Sequence, residues 1–400
     1  MKILHVTPAY EPAWHLGGVV RSVSQLCRGM ARLGQEVTVF TTDSGRDRKL
    51  SLPLNCPVEV GGVKVYYFRT EFSYKFFYSR TLREACHKSL KNFDIVHLTS
   101  FWCYPGIPAA AAARKEGVPY LVSVRGTLRE SALKKKAFKK WLYFQAIERK
   151  TMRRAAAIHY TTQMEKELDE YHRFRNPQFI VPNGFEVNEF NDLKRCRDAR
   201  KIWGINPESK IITFLGRLHH VKALDLLIKS ISTYELKNKE LNLLIAGPDD
   251  GAEGSLRLLT NNLGLNKRVR FLGEVNHQER NSLFAASDIF ALVSTDENFG
   301  NAAVEAMLAG VPVLLSEHVG ICREVQADGA GIVVPLEVGA IAGAIEQMLA
   351  VPERLLTMGQ AAAASARRRY DVNLVARQMA TAYEDILTGR RSPGLSWSDR

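Results

Sequence analysis

The sequence predicts an α/β protein made of two parallel-sheet halves. Three observations predict it. Short apolar, β-rich runs alternate with helix-length stretches over the first 160 residues. The same rhythm restarts after about residue 200, and a strong turn signal, Val181-Pro182-Asn183-Gly184-Phe185, lies between the two series. At 400 residues the chain is also too long for one compact core and fits two domains of about 150–200 residues.

In the first half, residues 3–7 read as the opening strand, followed by a loop with Gly17-Gly18 and a helix over 20–33. Further strands are expected at 36–41, 95–98, 120–124 and 157–161. Strands separated by helical spans imply βαβ units and a mainly parallel sheet. In the second half, strands are expected at 211–215, 241–246, 269–272, 289–293 and 311–315, with helices over 223–231 and 302–309. The domain reading is 1–188 with a returning helix over 371–390, and 189–370 between them, leaving a frayed tail from Gly389. Two such domains would face each other across a cleft, and open α/β sheets bind ligands outside the carboxyl ends of their strands.

Composition excludes several classes. With 46% hydrophobic and 24% charged residues the chain is neither disordered nor fibrous. No apolar run reaches the ~20 residues of a membrane-spanning helix. The N-terminus enters a strand-like run with no small-residue cleavage site behind it, so the expected location is cytoplasmic. Six scattered cysteines without a C-x-x-C pair read as reduced thiols. Charge is lopsided: residues 1–190 hold 30 Lys and Arg against 17 Asp and Glu, whereas residues 191–400 hold 25 of each. One half is thus expected to face a polyanion or an anionic membrane.

The most specific stretch runs from Ser294 through Glu297-Asn298-Phe299-Gly300-Asn301 to Glu305-Ala306-Met307. Gly300 permits close backbone approach, and a helix starting at Asn301 would turn free N–H groups toward a phosphate. Glu297 on the loop and Glu305 a turn inside the helix suit sugar and ribose hydroxyls. The alternative is a capped surface helix with two solvated glutamates. Gly216-Arg217 and Lys222 sit at the end of an expected strand and suit a diphosphate, a planar fork beside a point charge; a capped loop with a solvated lysine is the plainer reading. Gly17 and Gly18 let backbone amides approach phosphate or sugar, or form only a flexible turn. They are not the G-x-G-x-x-G dinucleotide fingerprint.

Residues 125–154 carry eleven basic side chains against Glu130 and Glu148, interleaved with Leu133, Phe138, Trp141, Leu142, Phe144 and Ile147. Such a helix fits peripheral contact with an anionic membrane, and fits nucleic acid less well; a solvated helix is the remaining reading. The histidines form no metal pattern and D-x-D is absent, so no metal site is expected. His97 either points into the cleft or is a satisfied core histidine. No G-x-S-x-G elbow or P-loop lysine is present.

With these residues in view, the chain resembles the retaining glycosyltransferases of family four, which have the GT-B fold. The likeness is strongest from Glu297 through Glu305 to Ala309-Gly310-Val311-Pro312-Val313, similar to that family's E-x7-E element and the strand entry after it. Ile245-Ala246-Gly247-Pro248, Phe271-Leu272-Gly273-Glu274-Val275 and Val181-Pro182-Asn183-Gly184 fall in the family's order. The resemblance implies two Rossmann-like α/β/α domains, with the C-terminal helix crossing back to the N-terminal one. It implies that Glu297 contacts donor-sugar hydroxyls, that amides at Phe299, Gly300 and Asn301 hold sugar and diphosphate, and that Glu305 binds ribose. Arg217 and Lys222 would neutralise the diphosphate, backbone near Gly247 and Val275 would meet the nucleotide, and Gly17 and Gly18 would close over the phosphates. Where many relatives carry a histidine, this chain has Arg125, which would bind an anionic acceptor or the departing phosphate instead.

The function so implied is retaining, metal-independent transfer of a hexose from a nucleotide diphosphate sugar, UDP-hexose favoured. The acceptor would be a glycan or lipid-diphosphate-linked saccharide at the inner membrane face, in exopolysaccharide or envelope synthesis. No further cofactor and no nucleic-acid partner are implied. A GDP-mannose-dependent mannosyltransferase, a nucleotide-sugar epimerase on the same fold and a non-catalytic binding module are the alternatives.

Overall fold

The computed structural model describes residues 1–398 apart from 46–48, 72–75, 100, 128–140, 169–173, 192, 194–198 and 234–239. The chain divides into two units, Met1–Phe185 with Tyr370–Arg400, and Glu186–Arg369.

The N-terminal unit holds strands β1 (Lys2–Val6), β2 (Glu36–Thr42), β3 (Pro57–Val60), β4 (Val63–Phe68), β5 (Ile95–Thr99), β6 (Tyr120–Ser123), β7 (Ala157–Tyr160) and β8 (Gln178–Ile180). They form one sheet in the order β3-β4-β2-β1-β5-β6-β7-β8. All neighbours run parallel except the β3–β4 pair, which is antiparallel. Strands β5, β6 and β7 are buried at every position. Continuous apolar runs of that kind mark strands covered on both faces. The helices Gly18–Arg32 and Val372–Thr388 cover one face through Val23, Leu26, Met30, Ala376 and Met379. Arg80–Ser89 and Gly106–Glu116 cover the other through Leu82, Cys86, Ala109 and Ala113.

Four features here escaped the sequence reading. β3 and β4 are a short hairpin around Gly61-Gly62 at the sheet edge, where β3 alternates exposed and half-buried residues. β8 is only three residues long and runs straight into the Val181–Gly184 turn. The tail, expected to fray, returns instead: Gln178 and Ser398 exchange both backbone hydrogen bonds (3.0 and 2.8 Å), and Trp397 packs 4.9 Å from Phe179. Burying those two rings together holds a segment that its polar composition alone would leave loose.

The C-terminal unit is a six-stranded parallel sheet of β9 (Lys210–Leu215), β10 (Leu241–Ala246), β11 (Val269–Gly273), β12 (Ile289–Leu292), β13 (Val313–Ser316) and β14 (Gly331–Val334). The order is β11-β10-β9-β12-β13-β14. The chain therefore steps outward from β9 to β11, then crosses to the other side of β9 at β12. This reversal is the topological switch point of a doubly wound sheet, and the strand ends on either side of it form the default ligand crevice. Only β14, four residues behind Gly329-Ala330, was missed by sequence.

Candidate functional site

Three loops meet at the C-terminal edge of the second sheet. After β9 the chain passes Gly216 and Arg217 and makes a tight 3-10 turn over His220–Lys222, which His219 caps by accepting from the Val221 N–H at 3.3 Å. Ala223 then adopts φ 47, a left-handed conformation costly for a residue with a Cβ, and opens the helix Leu224–Ile231. The loop after β12 docks on this turn, with Thr295 N–H donating to Val221 O at 2.8 Å. It is pinned on its other side by the loop after β13: Glu297 N–H donates to His318 O (3.2 Å) and Gly320 N–H to Glu297 O (2.9 Å).

This docking brings Lys222 and Glu297 together. The ammonium donates directly to Glu297 Oε2, with the two side chains 17% and 21% exposed. A partly desolvated pair is held more firmly than a surface one, yet both groups remain reachable from solvent. Three residues on, Gly300 (φ 101) caps the helix Asn301–Leu308. A side chain at Gly300 would come within 3.0 Å of Val319 as well as straining the backbone. That helix opens at Asn301, four residues after Glu297, and the dipole at a helix N-terminus favours an anion.

Glycine backbones close the neighbouring strand ends. Gly247 (φ 134) lies so near Gly216 that a Cβ on it would sit 1.9 Å from the Gly216 carbonyl oxygen. Its N–H donates to Gly273 O at 2.7 Å. Val275, two residues beyond β11, is half-buried with Trp203, Leu215 and Leu272. Arg217 lies across from Asp250 at 2.5 Å and is 55% exposed, so this pair is weak and exchangeable. Asp249 beside it accepts backbone hydrogen bonds from Gly251, Ala252 and Glu253, which hold its carboxyl below the usual range.

Glu305 sits on the second turn of the helix Asn301–Leu308, 5% exposed and 3.4 Å from Arg280 Nη1. Arg280 was not among the residues the sequence suggested. A signal was present: in the helix His277–Ala286 it occupies the face of Leu283 and Phe284, where a charged side chain is out of place unless paired.

The structure thus gathers Arg217, Lys222, Gly247, Val275, Glu297, Phe299, Gly300, Asn301 and Glu305 at one edge of the C-terminal unit. Gly17, Gly18 and Arg125 belong to the other unit. Gly17 (φ 108) and exposed Gly18 open the helix Gly18–Arg32, and the space where a Gly17 side chain would go is empty. Arg125 corrects the expectation attached to it. Its backbone is left-handed (φ 54), its side chain is buried, and Nη1 donates to Asn183 Oδ1 and to Ser22 Oγ (3.1 Å). Burial lowers it to about 10. Its guanidinium ties β6 to the Val181–Gly184 turn and the first helix, and is not presented to an anionic ligand.

Beneath Arg125 lies a polar chain through the sheet. Tyr383 OH and His97 Nδ1 are 2.6 Å apart, His97 Nε2 and Ser123 Oγ 2.5 Å, Ser123 Oγ and His159 Nδ1 2.5 Å, and His159 Nε2 and Val181 O 2.7 Å. A carbonyl only accepts, so His159 Nε2 carries its proton and Nδ1 accepts from Ser123. Ser123 must then accept from His97 Nε2–H, leaving His97 Nδ1 to accept from Tyr383. Every proton is assigned, and both imidazoles are neutral. Burial above all, with Arg125 adding to it, pushes His159 down to about 3; burial pushes His97 well below its usual value too. Of the two readings of His97, the satisfied core histidine is the one observed.

Of the basic segment 125–154 expected to meet a membrane, residues 128–140 lie outside the described residues. Beyond them, Trp141 and Leu142 are exposed, while Phe144 and Met152 point into the core from a π-helical turn (Phe144–Glu148) and the helix Arg149–Arg153. Among the described residues no helix is long and apolar enough to cross a membrane, and no three His, Cys, Asp or Glu side chains cluster as metal ligands.

Two doubly wound sheets, one with cations, carboxylates and a helix N-terminus around its switch point, define a nucleotide-binding α/β protein of two domains. Comparison with known proteins narrows the class. Residues 17–184 match the glycosyl transferase 4-like domain, and residues 197–365 match the glycosyl transferases group 1. An uncharacterized glycosyltransferase of Methanocaldococcus jannaschii is 28% identical over 87% of this chain and 89% of its own length. The GDP-mannose:cellobiosyl-diphosphopolyprenol alpha-mannosyltransferase of Komagataeibacter xylinus is 25% identical over 98% of this chain and 95% of its own. Among solved structures, sucrose-phosphate synthase from Thermosynechococcus elongatus superposes with a TM-score of 0.76 at 19% identity, covering 97% of this chain and 99% of that one. Anabaena HepE, solved with UDP and glucose, gives 0.74 at 18%, covering 96% and 100%. The chain belongs to the family-four glycosyltransferases and has the GT-B fold.

Proposed function

We propose that this glycosyltransferase moves a hexose from a nucleotide diphosphate sugar, with retention and without a metal, to a glycan or lipid-diphosphate-linked saccharide. The observation that carries the reading is the Lys222–Glu297 pair beside the Gly300–Asn301 helix start. Departure of the sugar builds negative charge on the β-phosphate, and fixed donors stabilise it better than water does. Lys222, Arg217 and the amides at Phe299–Asn301 would supply those donors. Glu297, anchored by Lys222, would orient the donor-sugar hydroxyls, and Glu305 the ribose. Gly247 and Val275 would leave room for the nucleotide. The departing phosphate would itself take the acceptor's proton from the same face, so no carboxylate nucleophile is required.

UDP-hexose is the favoured donor: HepE was solved with UDP-glucose. GDP-mannose is the second reading, because the Komagataeibacter relative is named for that donor. Its acceptor, a saccharide on diphosphopolyprenol, supports a lipid-linked acceptor here, as do the basic first half and the exposed Trp141 and Leu142. The enzyme would then work in polysaccharide synthesis, peripherally on the cytoplasmic membrane face.

Incubation with UDP-hexoses or GDP-mannose and a lipid-diphosphate saccharide, with the products resolved by mass and by the anomeric coupling constant, tests the proposal. It requires free nucleoside diphosphate in step with an α-linked product. An epimerised free sugar, or a β-linkage, refutes the corresponding part.

A further inference from the structure

The ribose-facing end of the site contains a built cluster with no role so far. Arg280 is 4% exposed, one turn into the helix His277–Ala286, which begins directly after the Val275 loop and is capped by a capping box at Asn276 and Glu279. Its guanidinium lies 3.4 Å from Glu305 Oε1 and 3.6 Å from Glu189 Oε2, is 3.0 and 3.2 Å from Asn281 Oδ1, and covers the ring of buried Phe190 at 5.3 Å. Glu189 comes from the short turn Val187–Phe190, and His277 reaches it at 3.3 Å.

We propose that Arg280 is the positioning residue for the Glu305 carboxylate, and that through it the enzyme prefers ribonucleoside over 2′-deoxyribonucleoside diphosphates. The inference rests on the reading of Glu305 as the ribose contact. A vicinal diol donates two hydrogen bonds, and only a carboxylate held in one plane accepts both. Glu305 alone has three rotatable bonds. A rigid guanidinium fork, itself fixed by Phe190, Asn281 and Glu189, removes that freedom in a way that a point charge does not. One guanidinium faces two carboxyl groups, so the cluster offers acceptors, suited to hydroxyl donors and not to a phosphate. The same helix carries the Val275 loop at its start, so base-side and ribose-side contacts are set by one rigid element.

Titration calorimetry of the full chain with UDP, 2′-deoxy-UDP, GDP and 2′-deoxy-GDP tests it. The wild type is expected to prefer the ribose form of its nucleotide by about tenfold, the range of one charge-assisted hydrogen bond. In Arg280→Met, affinity for the ribose form falls to near that of the deoxy form while the deoxy form is little changed; Arg280→Lys recovers only part of the preference. Glu189→Gln, which spares Arg280, supplies a second reading should Arg280→Met not fold, and is expected to lower the preference about two- to threefold. A folded Arg280→Met that keeps the wild-type ratio overturns this proposal alone. Tight wild-type binding without ribose preference overturns the Glu305 reading and this proposal with it, and absence of binding by either nucleotide overturns the nucleotide-sugar reading.

Discussion

The two sheets of this glycosyltransferase place polar groups at the same kind of position, near the carboxyl ends of central parallel strands, and treat them in opposite ways. In the N-terminal unit His5, His97, Ser123, His159 and Arg125 are sealed in, each at or below 9% exposure; His97, Ser123 and His159 are joined in neutral, directed hydrogen bonds, and Arg125 Nη1 is held by Ser22 and Asn183. In the C-terminal unit Lys222, Glu297, Arg217 and Asp250 are charged, paired and open to solvent. Buried polar groups stabilise only when every partner is present, so the first arrangement is a framework. The exposed Arg217–Asp250 pair contributes little to folding and exchanges partners readily, and the firmer Lys222–Glu297 pair is still reached by solvent, so the second arrangement is available to a ligand. The difference separates residues that hold the fold from residues that meet substrate.

The comparison breaks first at the open edge. Lys222→Ala is expected to lower turnover by about 10²–10³-fold, the loss typical of one fixed donor to a developing oxyanion, and Glu297→Ala, which removes both the anchor of Lys222 and the acceptor for the donor-sugar hydroxyls, by about as much, each with the thermal midpoint within a few degrees of wild type. Unfolding of either variant would mean that the open pair is structural after all. The sealed network should respond in the reverse sense. Ser123→Ala strands His97 Nε2–H and His159 Nδ1 and is expected to cost about 3 kcal/mol in urea unfolding while leaving nucleotide affinity unchanged.

A pH series sharpens the contrast within the N-terminal unit. Burial first, then Arg125, pushes His5 down to about 3, as it does His159. Between pH 6.5 and 3 the unfolded chain binds protons that these folded imidazoles refuse, so stability falls as pH drops through that window, by up to ~1.4 kcal/mol per pH unit for each. Glu148 works the other way: burial raises it to about 7, so from pH 4.5 to 7 the folded chain holds the extra proton and stability falls as pH rises. Glu148→Gln should therefore gain about 2 kcal/mol relative to wild type at pH 8 compared with pH 5, and steepen the acid decline, in urea melts across that range. The smallest effect is expected at the exposed pair, where Asp250→Ala should change stability by less than about 1 kcal/mol.

Much of this was legible in the sequence because the signals were local. Ten strands announce themselves by short, mainly apolar runs, and the 297–305 element by a glycine between a strand and a helix. What escaped was set by distant partners. β3 is an edge strand that alternates exposed and half-buried residues, and the tail is ordered by Phe179, more than two hundred residues away in sequence. Arg125 looked like an anion-binding residue from its place in the resemblance, where many relatives carry a histidine; Asn183 and Ser22, which accept from it, are visible only once the sheet has assembled. Arg280 was passed over for the converse reason, an ordinary surface-type residue that the fold turns inward toward Glu305.

Hydrogen exchange in the presence and absence of UDP-hexose and of GDP-mannose tests most directly whether the C-terminal strand edge grips the donor diphosphate. Slowed amides in peptides spanning residues 214–223 and 295–305 with at least one donor are the predicted result, weakened in Lys222→Ala. Donor binding that leaves both peptides unprotected, with protection confined to residues 1–185, would contradict the account.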